Sequence, residues 1–330
     1  MPKPTSNSLM NGLIRRLLRG DRRAISQLMS MAENDPPARI RILSSLYWLT
    51  GKAHIIGVTG PPGCGKSTLI AQLAKRFKER GASVGIVAVD PSSQVTGGAL
   101  LGDRVRMTEL AADPKVFIRS MATRGHAGGI AHATEDLIRI LDASAIDFVI
   151  VETAGAGQSD VNVKNLVHTT VVMTAPGLGD EIQALKAGIM EIGDIFVVNK
   201  ADRDNADRTT QEIQSTIMMA DAVKGWRPAV LKTIATSGDG VTALIQAIDQ
   251  HSKYVKDSEQ VESVTSQRLR RDLLDATKRY FEDVVLEEIA ATVRFQKLLA
   301  QVQAHRIDPY TAARRILRRM TEPEKRSSTV

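Results

Sequence analysis

The residues Gly60-Pro61-Pro62-Gly63-Cys64-Gly65-Lys66-Ser67, with Thr68 behind them, concentrate more usable chemistry than any other stretch of this chain. They fit the pattern G-x-x-x-x-G-K-[ST]. Glycines at 63 and 65 let successive backbone N–H groups turn inward, and a helix starting there adds partial positive charge. A lysine in this place reaches β- and γ-phosphates, and a serine hydroxyl can ligate Mg²⁺. The chemistry is capture of a nucleoside triphosphate, with Lys66 and Ser67 as its working side chains. A chance glycine-rich turn is the bland alternative, and the flanks argue against it. His54 to Thr59 is an apolar run that predicts a buried strand, and Leu69 to Arg80 predicts a helix.

A second pattern addresses the base. Asp194-Ile195-Phe196-Val197-Val198 predicts another buried strand, and it runs into Asn199-Lys200-Ala201-Asp202, an N-K-x-D sequence. The Asp202 carboxylate can accept both the N1–H and the exocyclic amine of guanine. Adenine has no matching pair of donors, so the acid would be left unpaired at a cost of about 1–3 kcal/mol. Asn199 would brace the loop, and the stem of Lys200 would lie along the base. Four residues alone match easily, and Lys-Ala-Asp is common at solvated helix starts. A strand end downstream of a phosphate loop is what gives the match weight.

Between the two patterns lie acids placed for hydrolysis. Phe148 to Val151 predicts a strand delivering Glu152-Thr153-Ala154-Gly155, where many GTPases carry D-x-x-G. An acid at that strand end can hold Mg²⁺, and the glycine amide can sense a γ-phosphate. Ser83 to Val89 predicts a strand ending in Asp90, and a glycine-bearing loop then leads to Asp103. Both acids are candidates for the Mg²⁺ shell or for orienting water; a turn acid at 90 and a helix N-cap at 103 are the structural alternatives. The catalytic candidates are therefore Lys66, Asp90, Asp103, Glu152 and Gln158. Ras-type enzymes place a Gln directly after the glycine, but here Ala156 stands there, with Gln158 nearby. Slow intrinsic turnover, open to stimulation by a partner, is the expectation.

Taken together, these segments resemble the MeaB family, also called ArgK-like, accessory GTPases of B12-dependent acyl-CoA mutases. The likeness extends through Val89-Asp90-Pro91-Ser92-Ser93, Thr96 to Arg104, Ile118 to His126, Glu152 to Ser159, Pro176 to Lys186, Asn199 to Asp202 and Asp308 to Ala313. The resemblance implies a GTPase that docks on a mutase, gates delivery of adenosylcobalamin, and protects or rescues the mutase from inactivation. It implies GTP/GDP and Mg²⁺ as ligands, and loops around Val95 to Asp103 and Glu152 to Gln158 that sense the nucleotide. A third loop, Pro176 to Gly188, would pass the signal on, with Asp180, Gln183 and Lys186 as coupling candidates; ordinary helix-start polar residues are their alternative reading. The last base-contacting loop would be Ile234-Ala235-Thr236, following a predicted strand over Ala229 to Thr233. This departs from the common S-A-[KRL], though backbone amides can do that work.

The elements that must hold these groups follow from patterning and charge. The chain has 330 residues, 43% hydrophobic and 4% aromatic, and a net charge of +7. The excess sits at the ends: residues 1–52 carry 9 basic and 3 acidic groups, residues 251–330 carry 16 and 12, and the stretch between carries 19 and 22. Leu9, Leu13, Leu17, Ile25 and Leu28 recur at helical spacing opposite Arg15, Arg16, Arg19, Arg22 and Arg23. An Arg-rich start could be a transit peptide, but Asp21 interrupts it, and a helical arm gripping the core is the better reading. Val241 to Tyr254 predicts the last core helix. From Ser266, the positions Leu269, Leu273, Leu274, Tyr280, Phe281, Val284, Val285 and Ile289 predict a long helix with a buried stripe, and Thr311 to Met320 a second. The resemblance implies that this region pairs two subunits.

The expected organisation is a helical arm at 1–52, a GTPase domain at 53–255 and a helical dimerisation region at 256–330. The fold class is α/β, a P-loop NTPase with a doubly wound, largely parallel sheet of about seven strands. No apolar run approaches the ~18–20 residues that span a bilayer, and Cys64 is the sole cysteine, so a cytoplasmic protein without disulfides is expected. Sparse aromatics argue against a nucleic-acid partner. Two other functions remain open: a metal-insertion GTPase for nickel enzymes, which commonly carries a His- or Cys-rich store that is not evident here, and a small-substrate kinase.

Overall fold

The computed structural model describes residues 6–90, 108–122, 133–155, 163–178, 191–219, 225–257 and 261–321. Its chain divides into two compact units, Met1–Val261 and Glu262–Val330.

The first unit is built on seven strands: β1 (His54–Thr59), β2 (Val84–Asp90), β3 (Val116–Ala122), β4 (Phe148–Glu152), β5 (Thr169–Thr174), β6 (Ile195–Val198) and β7 (Ala229–Lys232). Their order is β3-β2-β4-β1-β5-β6-β7, and every pairing is parallel. A parallel sheet is apolar on both faces, which is why β1, β4 and β6 read as near-continuous apolar runs. Strand order reverses at β1, which lies between β4 and β5. Ligands of open α/β sheets bind at the carboxyl ends of strands at such a switch point.

Helices cover both faces. Helices α1 (Ser6–Leu17), α2 (Arg22–Asn34) and α3 (Pro36–Leu46) share one apolar cluster with α6 (Ala133–Ala143) and the Val87, Val149 and Val151 face of the sheet. The other cluster joins α4 (Lys66–Glu79) and α8 (Val241–Asp257) to Ile56, Val58, Ile150 and Val171. Two further described helices of this unit are α5 (Thr108–Ala111) and α7 (Ala206–Met219).

The predicted N-terminal stripe is broken by a turn. Asp21 caps α2, its carboxylate accepting from the Arg23 and Ala24 amides, and Asp35 does the same for α3 at Ala38. Leu13, Leu17, Ile25 and Leu28 are buried as their spacing predicted, but Leu9 is exposed and Met10 is buried in its stead. The arm is held to the sheet edge by a partly buried ion pair. Arg119 of β3 donates from Nη2 to Glu33 of α2 at 2.7 Å and from Nε at 3.2 Å.

The second unit continues from α9 (Val261–Tyr280) through a π-helical turn, Phe281–Val285, to α10 (Leu286–Ala290), α11 (Val293–Gln303) and α12 (Pro309–Thr321). Leu269, Leu273 and Leu274, expected to form a buried stripe, are exposed in the single chain at 50%, 69% and 61%.

Candidate functional site

The loop between β1 and α4 is shaped by glycines in the left-handed region. Gly60, Gly63 and Gly65 have φ of 144°, 76° and 99°. At Gly60 a Cβ would overlap the Met173 carbonyl of β5, and at Gly65 it would overlap the Asn199 amide. Only glycine fits at these two positions.

Helix α4 begins at Lys66 directly behind this loop, so its free N–H groups and dipole face the concavity. The Lys66 side chain is buried and donates to the carbonyls of Gly60 at 2.8 Å and Pro61 at 3.2 Å. Its ammonium is thereby folded over the loop. Ser67 donates its hydroxyl to Glu152 Oε1 at 2.7 Å, and both side chains are buried. A hydroxyl and a carboxylate converging beside a helix N-terminus form a hard-oxygen donor set of the kind Mg²⁺ takes.

Sequence reasoning missed two threonines here. The Thr153 hydroxyl donates to that of Thr59 at 3.0 Å, and the Thr153 amide donates to the Val58 carbonyl at 3.1 Å. These bonds stitch the end of β4 to the end of β1. Gly155, with φ of 76°, then comes so near the loop that a Cβ would stand 2.6 Å from the Gly60 carbonyl oxygen and 2.7 Å from Lys66 Nζ. A hydroxyl-bearing residue after each apolar run was the available signal.

The end of β6 is tied to the same loop. Asn199 donates from Nδ2 to the Cys64 carbonyl at 2.8 Å. Its Oδ1 accepts the Ala235 amide at 3.0 Å and the Thr233 hydroxyl at 3.1 Å. Lys200, at φ 56°, donates from Nζ to the Gly63 carbonyl at 2.6 Å. One asparagine thus joins three strand ends. Asp202 is exposed two residues on, and Thr236 is exposed beside the buried Ala235. Pro61 is buried, Pro62 exposed and Thr68 half-buried. Ile234 closes its turn by donating its backbone N–H to the Asp239 carbonyl at 3.0 Å. Cys64 is buried, and burial pushes its thiol pKa up, so it is a poor nucleophile.

The structure therefore brings together Gly60 to Ser67, Glu152, Asn199, Lys200 and Ala235. Asp90 ends β2, at the same carboxyl edge of the sheet. Asp103, Gln158, Asp180, Gln183 and Lys186 lie outside the described residues. Among the described residues no group of three or more His, Cys, Asp or Glu side chains is placed to hold a metal ion by itself, and no helix is long and apolar enough to cross a membrane.

A parallel sheet with a glycine loop at its switch point, running into a helix that opens on Lys-Ser, defines a P-loop NTPase, and the Asn-Lys-Ala-Asp turn at β6 is the guanine-nucleotide variant. Comparison with known proteins gives the narrower class. Residues 25–292 match the family described as methylmalonyl-CoA mutase-associated GTPase MeaB, and the chain belongs to that family of GTPases. A provisionally named GTPase of Pyrococcus horikoshii is 44% identical over 312 residues, covering 93% of this chain and 97% of its own. A mouse protein, the mitochondrial methylmalonic aciduria type A homologue, is 39% identical over 193 residues, 57% of this chain and 46% of its own. A crystal structure described as LAO/AO transport system kinase superposes with a TM-score of 0.70 at 25% identity, covering 97% of this chain and all of that one.

Proposed function

We propose that this GTPase is Mg²⁺-dependent and serves an adenosylcobalamin-dependent acyl-CoA mutase, of which methylmalonyl-CoA mutase is the type, gating cofactor delivery and protecting or reactivating the mutase. The observation that carries the nucleotide part is the convergence on one loop of Lys66, the Ser67–Glu152 pair and Asn199. In this reading Lys66 neutralises phosphate charge, and the amides of residues 63–67 cradle the phosphates. Asn199 holds the phosphate loop in register with the base loop, and Asp202 reads guanine. Ser67 and Glu152 fit Mg²⁺ and would hold it, with Asp90 and Asp103 as further candidates; the ion would supply charge neutralisation between phosphates. Gln158 is the candidate for positioning water, and Asp180, Gln183 and Lys186 for coupling to the partner.

The mutase part is supported by the family description and by the aciduria relative. A homodimer through the second unit is supported by the exposed leucines of α9. A cytoplasmic setting accords with the absence of a spanning helix among the described residues. The kinase reading is kept alive by the description of the superposable structure. The deciding experiment is size-exclusion chromatography with purified methylmalonyl-CoA mutase in GDP and in a non-hydrolysable GTP analogue. A nucleotide-dependent complex is expected, and no association in either state refutes the mutase role. In parallel, γ-labelled GTP should release label only as inorganic phosphate.

A further inference from the structure

A chain of polar side chains crosses the amino-terminal edge of the sheet, opposite the end that carries the phosphate loop. Thr169, which opens β5 and is fully buried, is its centre. The Thr169 hydroxyl lies 2.8 Å from His54 Nε2 of β1 and 2.8 Å from His251 Nδ1 of α8. Ser252 Oγ stands 3.1 Å from His54 Nδ1, and His251 Nε2 faces Asp194 Oδ1 at 3.5 Å. The Trp226 indole lies edge-on to His251, ring centroids 4.8 Å apart, and donates to the Asp194 carbonyl at 2.8 Å.

The proton roles along this chain depend on one another. Burial holds both imidazole pKa values down, so each ring carries one N–H and one lone pair. An ionised Asp194 only accepts, which sets the direction. Ser252 donates to His54, His54 to Thr169, Thr169 to His251, and His251 points its N–H at Asp194. Thr169 has a single proton and stands between two rings, so its hydroxyl is the link on which the others depend.

The place of this chain in the fold gives it a use. From Asp194 to Asn199 the β6 segment rises about 16 Å. The turn at 234–240 leads into α8, which returns about 15 Å from Val241 to His251. At the carboxyl edge the two are joined by Asn199 Oδ1, which accepts the Ala235 amide at 3.0 Å. At the amino edge they meet through His251 and Asp194. The turn has little slack, because the Val241 amide donates to the Gly238 carbonyl at 3.3 Å and the Leu244 amide to the Gly240 carbonyl at 3.1 Å. Val241, Leu244, Ile245 and Ile248 bury α8 in an apolar cluster. Apolar burial is non-directional and resists sliding along the helix axis only weakly, whereas a hydrogen bond weakens steeply as its geometry departs from ideal.

We propose that the chain Asp194–His251–Thr169–His54–Ser252 is a positioning latch for guanine recognition, which fixes α8 along its axis and so sets the spacing between the turns at 199–202 and 234–236. The latch deepens the reading of Asp202 as the guanine acceptor and rests on it.

The test compares GDP with IDP, whose base lacks the exocyclic amine, in competition against a fluorescent GDP. The full chain is used as wild type, Thr169→Val, Thr169→Ser and Ser252→Ala. Both nucleotides carry the same phosphates, so the ratio of their affinities reads the base contacts alone. A variant that merely loses folded fraction weakens both equally. Thr169→Val, near-isosteric but without the hydroxyl, shrinks the preference for GDP about threefold or more, the weight of one hydrogen bond, and Thr169→Ser restores it. Ser252→Ala, which unhooks only the end of the chain, shrinks it about twofold and decides the matter if Thr169→Val does not fold. A wild-type ratio in Thr169→Val, or in Ser252→Ala where Thr169→Val does not fold, overturns the latch, as does an equal loss in Thr169→Ser. A wild type that binds GDP and IDP alike would instead overturn the reading of Asp202, and the latch with it.

Discussion

Asn199→Ala tests whether one side chain holds the site together. The residue is 2% exposed and makes three hydrogen bonds, to the Cys64 carbonyl, the Ala235 amide and the Thr233 hydroxyl. Truncation leaves the Cys64 carbonyl and the Ala235 amide without these partners, and each such buried group costs about 1–3 kcal/mol. Because the bonds share one side chain the terms do not add, and about 3 kcal/mol is expected for the whole. Thr233→Val deletes only the third bond, and about 1 kcal/mol is expected for it. Urea denaturation without nucleotide, followed by far-UV circular dichroism, measures both. Nucleotide affinity, titrated with a fluorescent GDP, separates them further. Asn199→Ala releases Cys64 from Ala235 and should weaken binding about tenfold or more, whereas Thr233→Val leaves both clamps in place and should change it less than about twofold. A loss below about 1 kcal/mol with unchanged affinity in Asn199→Ala would refute the bracing role, since no buried group could then have been orphaned.

Other outcomes follow from the same geometry. Lys66→Ala should abolish nucleotide binding in the same titration, while Asp202→Asn should bind GTP but lose about tenfold or more of its preference over ATP; unchanged selectivity removes Asp202 from base recognition. Gly155→Ala places a methyl 2.6 Å from the Gly60 carbonyl oxygen at a positive φ, so GTP turnover should fall about tenfold or more; wild-type turnover would show that the close approach is not maintained. Acid should destabilise the fold through His54. Its pKa is lowered from 6.5 to about 3, first by burial and then by the charges of His168, His251 and Lys256, with Asp249 opposing. A histidine kept neutral in the fold contributes its stability fully above the unfolded pKa and loses it as pH falls toward the folded one. At pH 5 that loss is about 2 kcal/mol relative to neutral pH. His54→Gln should flatten the stability profile between pH 7 and 5, and an unflattened profile would assign the acid sensitivity elsewhere.

Much of the sheet was legible because a buried parallel strand is a local apolar run. His54 to Thr59 was read with the bounds that the structure gives. The helix after the phosphate loop begins at Lys66, three residues before its periodic apolar positions, because Gly65 supplies the left-handed turn that starts it. The arm was legible as helical but not as broken. A capping aspartate at 21 reads in sequence like one more surface acid until its carboxylate is seen on the Arg23 and Ala24 amides. The exposed leucines of α9 show the limit of periodicity: it marks a face to be covered and says nothing of what covers it.

The sequence by itself determined the chemistry on offer: a glycine loop with Lys66 and Ser67, an acid at Glu152, and the Asn199 to Asp202 turn, each bound to a strand end by its apolar prefix. Those are short-range signals, written in spacing and residue type. The tertiary structure decided which groups meet. Only the order β4-β1-β5-β6-β7 brings Glu152 onto Ser67, Thr153 onto Thr59, and Asn199 between Cys64 and Ala235. Strand order is set by packing helices on both faces and by right-handed crossovers, which couple residues far apart in the chain. No local pattern encodes such a pairing, and the hydrogen bonds that complete the site exist only once it has formed.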